Sequence, residues 1–255
     1  MYKFTILRQN TVAGYKIPTG IAGLDEMLGG GFPRGRVILV IGGPGTGKTI
    51  LTMQFLTDGI SHYGENGLYV SLDETRTHLF REMSKFGWSL EQLEREGKIT
   101  FIDASPIRHS PSEPRIGRMS VCRGDFSLAG LITSIQRKVA KTFAKRIVVD
   151  PISAFLFQYE DEAQRRTAVL QLADTLVGTG ATCLLTTEAA ALKSIVQADE
   201  YLTHGAILLR TVQVGKALVR TLQIVKMRET YHDTQPRPYK ISEAGINVYP
   251  REYVF

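Results

Sequence analysis

Between residues 42 and 49 the chain reads GGPGTGKT, so Gly42, Gly43, Pro44, Gly45, Thr46 and Gly47 lead directly into Lys48 and Thr49. This spacing fits G-x-x-x-x-G-K-[ST], the P-loop pattern, provided that a strand precedes it and a helix follows. Glycines let successive backbone N–H groups turn inward on phosphate oxygens, and the helix adds its positive end. Lys48 would then reach the β- and γ-phosphates of ATP or ADP, and the Thr49 hydroxyl would hold Mg²⁺. The magnesium shell needs a carboxylate, and the run RIVVDPISAF supplies Asp150 at the end of an apolar stretch. Ser153, three residues on, reads equally as a metal-shell helper or a turn cap. Hydrolysis also needs a group that orients water, and YVSLDET ends its run with Asp73 and Glu74. Adjacent residues on an extended chain face opposite ways, so one of the pair faces the water, and the sequence does not say which. Both acids also suit the start of a helix near Thr75.

These groups converge only if parallel strands carry them to one sheet edge. Short β-branched runs at 36–41, 67–72, 99–103, 146–150 and 181–187 alternate with helical spacing at 49–64, 76–87, 126–145 and 161–178. That alternation predicts an α/β fold: a mostly parallel twisted sheet with helices on both faces. Strand carboxyl ends then share the edge where the P-loop opens. Residues 205–228 change pattern to two strand-like runs joined through VGK, predicting an antiparallel hairpin at the sheet edge. Residues 105–124, rich in proline, predict a long loop.

Composition agrees with one α/β domain over residues 1–255, with residues 1–18 packing on the core or on a neighbour. The chain is 43% hydrophobic, and its formal charge of +6 suits polyanions without demanding them. Cys122 and Cys183 have no metal-knuckle spacing and read as structural. The segment MYKFTILRQN has no signal-like core, and no run nears the ~20 apolar residues of a membrane span, so the expected location is cytoplasmic.

The stretch IPTGIAGLDEMLGGGFPRGRVILVIGGPGTGKT, continued by QFLTDGI, SLDET, KFGWSLEQLEREGKITFIDASP, VVDPISAF, LLTTEA and VKMRETYH, resembles RecA-superfamily ATPases of the KaiC type over roughly residues 16–250. The resemblance implies a RecA-like core, ATP with Mg²⁺, a hexameric ring with nucleotides between subunits, and a regulatory output through a protein partner. It implies that the acids at Asp73 and Glu74 activate water. It also implies that Lys226 and Arg228 reach the neighbouring subunit's site, and that Thr230, His232, Ser242 and Glu243 lie near the base and sugar. Clock members of the family carry two such domains, with a glutamate where Asp73 stands and a Ser-Thr phosphoacceptor pair that falls near Glu200 and Tyr201. These departures argue against autokinase activity and for plain hydrolysis.

Lys226 and Arg228 stand two apart on a run that reads as strand, so both would project from one face and could grip a phosphate, or could simply discourage edge pairing. Glu188, after CLLTT, reads either as a γ-phosphate sensor or as a helix acid. A nucleic-acid-binding recombinase or repair paralogue is the competing function. Arg108, Arg115, Arg118 and Arg123 face a single acid in their loop, Glu113, and residues 205–228 hold five basic residues and no acid. Such loops would bind phosphates weakly and without sequence preference. They lack the interleaved aromatics that stack bases.

Overall fold

The computed structural model describes residues 16–105, 127–159, 161–188 and 203–254. In chain order these form β1 (Lys16–Ile17), α1 (Leu24–Met27), β2 (Phe32–Pro33), β3 (Val37–Gly42), α2 (Lys48–Tyr63), β4 (Gly67–Ser71) and α3 (Arg76–Met83). After a 3-10 turn come α4 (Leu90–Arg95), β5 (Ile99–Asp103), α5 (Leu128–Thr142), β6 (Arg146–Asp150), α6 (Ile152–Leu156), α7 (Glu162–Gly178) and β7 (Thr182–Glu188). The chain closes with β8 (Gly205–Val214), β9 (Ala217–Met227), β10 (Arg237–Ser242) and β11 (Gly245–Val248).

The main sheet has the order β11-β10-β9-β8-β3-β7-β6-β4-β5. β3 pairs in parallel with β7 and β8, and β4 with β5 and β6, while β9, β10 and β11 each run antiparallel to the strand before. Alternation along β3 fills both sides of the sheet. Ile38 and Val40 pack with Leu51, Phe55 and Leu56 of α2, whereas Val37, Leu39 and Ile41 pack on the side of α5 and α7. β3 is therefore buried on both faces, as its unbroken apolar run requires.

The hairpin of β8 and β9 forms around Gly215 at φ 60°, but it does not close the sheet. β10 pairs Arg237 with Leu222 and Pro238 with Thr221, and β11 adds a further strand. The short helices α4 and α6 also go beyond what periodicity predicts. Lys16 and Ile17 pair with Pro33 and Phe32 in a two-stranded ribbon, while residues 1–15 lie outside the described residues. The same holds for most of the 105–124 loop, for Cys122 and the loop arginines, and for Glu200 and Tyr201. Cys183 is fully buried, and burial pushes its thiol pKa up, so it behaves as a core residue. No helix among the described residues is long and apolar enough to cross a membrane.

Candidate functional site

β3 delivers the glycine loop to the carboxyl edge of the sheet, and α2 begins directly at Lys48. Gly45 and Gly47 take φ of 72° and 87°, a region that side chains resist. A Cβ on Gly42 would come 2.4 Å from Thr46 Oγ1, while one on Gly43 or Gly45 would meet nothing within 4 Å. The loop is thus braced beneath and open above, a cradle that an anion's oxygens fit. Lys48 Nζ donates to the carbonyls of Gly42 and Gly43 at 2.9 and 3.1 Å. Burial lowers the Lys48 pKa, and Asp150 and Glu188 oppose that shift.

Asp150 ends β6 and is buried, and three hydroxyls converge on its carboxylate. Thr49 donates to Oδ2 at 2.9 Å, Tyr69 donates to the same oxygen, and Thr186 donates to Oδ1. Burial, reinforced by the Asp150 charge, pushes the Tyr69 pKa well up, so its phenol stays a donor. The Thr49–Asp150 contact brings together the two groups expected around magnesium, and a hydroxyl with a carboxylate is an oxygen set that suits that ion.

A cleft of about 100 Å³ is lined by Lys48, Thr49, Asp150, Asp73, Glu74 and Glu188, among others. Glu188 sits opposite Gly42 in the β3–β7 register. Asp73 and Glu74 leave β4 through a turn that Ser71 closes, its Oγ accepting from Glu74 N at 3.1 Å and donating to Glu74 O at 2.5 Å. The N-cap of α3 is Thr75, so neither acid takes that role. Glu74 Oε2 lies 3.9 Å from His78 Nδ1, beyond hydrogen-bond length. Its carboxyl pKa is raised by burial first, then by Glu82 and Asp150, with His78 pulling the other way. Ser153 is buried in α6 and is not among the residues lining the cleft.

Sequence reasoning missed the braces behind the loop. Tyr239 donates to Thr46 O at 2.5 Å, and Ile241 packs where a Cβ on Gly47 would lie, 2.8 Å away. Gln54 ties α2 to β11, donating to Ile246 O at 3.2 Å and accepting from Ile246 N at 2.7 Å. Burial raises the Tyr239 pKa to about 12, with Arg220 opposing. A tyrosine and a glutamine carry no motif of their own; the pairing of β9 with β10 brings Tyr239 to the loop, and Gln54, on α2, reaches it through β11.

The remaining expected residues divide between two edges. Ser242, which ends β10, and Glu243, in the turn after it, lie at the carboxyl edge, where Ser242 Oγ donates to Gly245 O. Lys226 lies elsewhere. Met227 pairs with Gly205, which pairs with Ile38, so this end of β9 is level with the start of β3. That position is four residues below Gly42, about 13 Å along the strand. A register irregularity falls beside Lys226, and Arg228 stands one residue past the strand, although its N–H still bonds His204 O at 2.8 Å. Lys226 Nζ donates to Thr203 O at 2.7 Å. Thr230 and His232 follow in the same return loop. Within one chain, then, Lys226 and Arg228 sit at the edge opposite the P-loop, whereas Thr230 and His232 belong to the stretch that climbs back to Arg237, level with Gly42.

Glu229 is next in sequence and takes φ of 59°, which costs a non-glycine residue about 1–2 kcal/mol. Its carboxylate grips Arg36 in a fork, with Nη2 at 2.7 and 2.9 Å.

A strand, glycine loop and helix beside a carboxylate-bearing parallel strand define the class: a nucleotide-binding RecA-type ATPase fold. A family model described as the ATPase KaiC matches residues 17–253, and the chain belongs to the KaiC family. It is 35% identical over 245 residues to the circadian clock oscillator protein KaiC of Thermostichus vulcanus, and 36% identical over 238 residues to that of Nostoc sp. PCC 7120. Those matches take in 95% and 92% of this chain but only 45% and 44% of the relatives, so the chain spans less than half their length. A crystal structure of a KaiC-like protein from Pyrococcus horikoshii OT3 superimposes with a TM-score of 0.79 at 36% identity, covering 92% of this chain and 99% of that one.

Proposed function

We propose that the chain, folded as one domain, hydrolyses ATP with Mg²⁺ at a site completed by a second copy of itself, within a ring that regulates a protein partner. The P-loop of residues 42–49 holds the phosphates through backbone N–H groups. Lys48 swings from its own loop carbonyls to the β- and γ-oxygens. Thr49 and Asp150 hold magnesium, which neutralises charge on the phosphates. Glu74, or Asp73 beside it, orients the attacking water.

One observation carries the shared site: Lys226 and Arg228 lie at the opposite end of the strands that carry the P-loop. No side chain spans that gap and also turns around the sheet, so these cations serve a phosphate only on another chain. A head-to-tail arrangement, with the amino edge of one sheet against the carboxyl edge of the next, uses both edges of every chain and closes as a ring. In such an arrangement Lys226 and Arg228 face the neighbour, while Ser242 and Glu243 stay with the P-loop. A cation supplied across an interface is worth on the order of 10³ to 10⁵ in rate in other NTPases.

The experiment mixes two inactive variants. Lys48→Ala spoils a chain's own pocket and keeps its cations, and Arg228→Ala does the reverse. Mixing with subunit exchange restores hydrolysis if the site is shared. No recovery, in particles shown by mass to contain both variants, would return Lys226 and Arg228 to ordinary edge charges.

A further inference from the structure

We infer that the Arg36–Glu229 ion pair is a positioning device, which fixes the direction in which Arg228 leaves the amino edge and so sets the geometry of the neighbouring chain's site. This rests on the shared-site reading above.

The case begins with backbone conformation. Glu229 is in the left-handed region, where a glycine would sit without strain. The turn alone therefore does not call for glutamate. What glutamate adds is its carboxylate, which makes three contacts with one guanidinium: Nε to Oε2 at 3.3 Å and Nη2 to both oxygens at 2.7 and 2.9 Å. A two-point fork fixes orientation as well as distance, unlike the single flexible contact of most surface ion pairs.

The partner matters as much as the fork. Arg36 immediately precedes β3, and its carbonyl accepts from Cys183 N at 2.9 Å, so its backbone is tied to the central strands. Arg228 N donates to His204 O, and His204 N donates to Val37 O, both on the same edge. The ladder fixes the chain as far as Arg228. Beyond that residue the fork holds the first turn of the return loop and keeps the Arg228 side chain from swinging with it. The fork also joins the base of the cation pair to the strand whose far end carries the chain's own P-loop.

The placement predicts an asymmetry that a general structural role would not produce. In the mixture of Lys48→Ala and Arg228→Ala chains, the first gives cations and the second gives the pocket. Glu229→Gly, which relieves the backbone strain and removes the fork, is introduced on one chain or the other. On the cation-giving chain it lowers the kcat of the mixture by about tenfold to a hundredfold with KM for ATP unchanged, since small misplacements of a catalytic group cost rate of this order. On the pocket-giving chain it leaves both constants as they were, which also shows that the variant folds and assembles. Arg36→Gln on the cation-giving chain reproduces the loss, and combining it there with Glu229→Gly adds nothing further. Equal effects on both chains, or no effect on either, would overturn the positioning role. If the reference mixture without either substitution stays inactive, the shared site itself fails and this role falls with it.

Discussion

If Glu74 is the acid that orients water, as proposed, it carries two demands that its surroundings set against each other: it must be charged to do so, and it is placed where charge is disfavoured. Burial raises its pKa, Glu82 and Asp150 add to the rise, and His78 offsets part of it. A base whose pKa is raised loses its charge at a higher pH than an ordinary carboxylate does. Turnover therefore falls on acidification earlier than it would for a solvated glutamate. Replacing His78 by alanine removes a group that lowers the pKa, so the acid limb of kcat against pH moves upward, and Glu82→Gln moves it downward. Limbs that stay in place in both variants would assign the titration to another group. Glu74→Gln itself should lower kcat while leaving ATP affinity intact, because a water-orienting group acts mainly in the transition state. Lys48→Ala should do the opposite in calorimetry, weakening ATP binding outright. At this scale the sequence was most legible where chemistry demands a fixed spacing, as from Gly42 to Thr49. It left open which of Asp73 and Glu74 faces the water, since their adjacency predicts opposite directions without saying which, and both line the cleft.

The element that matters most is the β3–loop–α2 unit, and its glycines are not equivalent. Gly47 combines φ of 87° with Ile241 and Ile246 packed against it, so Gly47→Ala forces backbone strain and displaces side chains of β10 and β11. A loss of about 1–3 kcal/mol is expected in denaturant unfolding. Gly43 has ordinary φ and open space, so Gly43→Ala should leave stability within about 0.5 kcal/mol of the parent while its methyl intrudes on the cradle and weakens ATP binding. If both variants lost stability equally, the bracing of the loop by β10 and β11 would be misassigned. Tyr239→Phe, which removes only the bond to Thr46 O, should cost about 1 kcal/mol in stability. The strands β3, β4, β6 and β7 were legible because strands buried on both faces read as unbroken apolar runs, and the edge strand β5 was legible because ITFID is mostly apolar and β-branched. β10 and β11 were not, since RPYKIS is interrupted by proline and charge and only partly buried, and GINV is four residues long. α6 escaped for a similar reason: a five-residue helix is too short to show a period.

For the molecule as a whole, the edge on which each group sits decides what one chain can do alone. The P-loop, Asp150, Asp73, Glu74, Ser242 and Glu243 occupy the carboxyl edge, and Lys226 and Arg228 occupy the other. Periodicity showed that parallel strands would gather the P-loop, Asp150, Asp73 and Glu74, but it could not place the others. That depended on the register of β8 and β9, in which Met227 lies level with the start of β3. The resemblance of VKMRETYH to the KaiC family assigned Lys226 and Arg228 to a neighbour's site before any register was known, and grouped Thr230 and His232 with Ser242 and Glu243. The central claim is that a lone chain lacks part of its own site, and the most direct measurement is the ATP hydrolysis rate per chain across a dilution series, with particle mass determined in the same samples. The rate per chain should rise and fall with the fraction of chains in assemblies and vanish where single chains prevail. A full rate from particles of single-chain mass would contradict it.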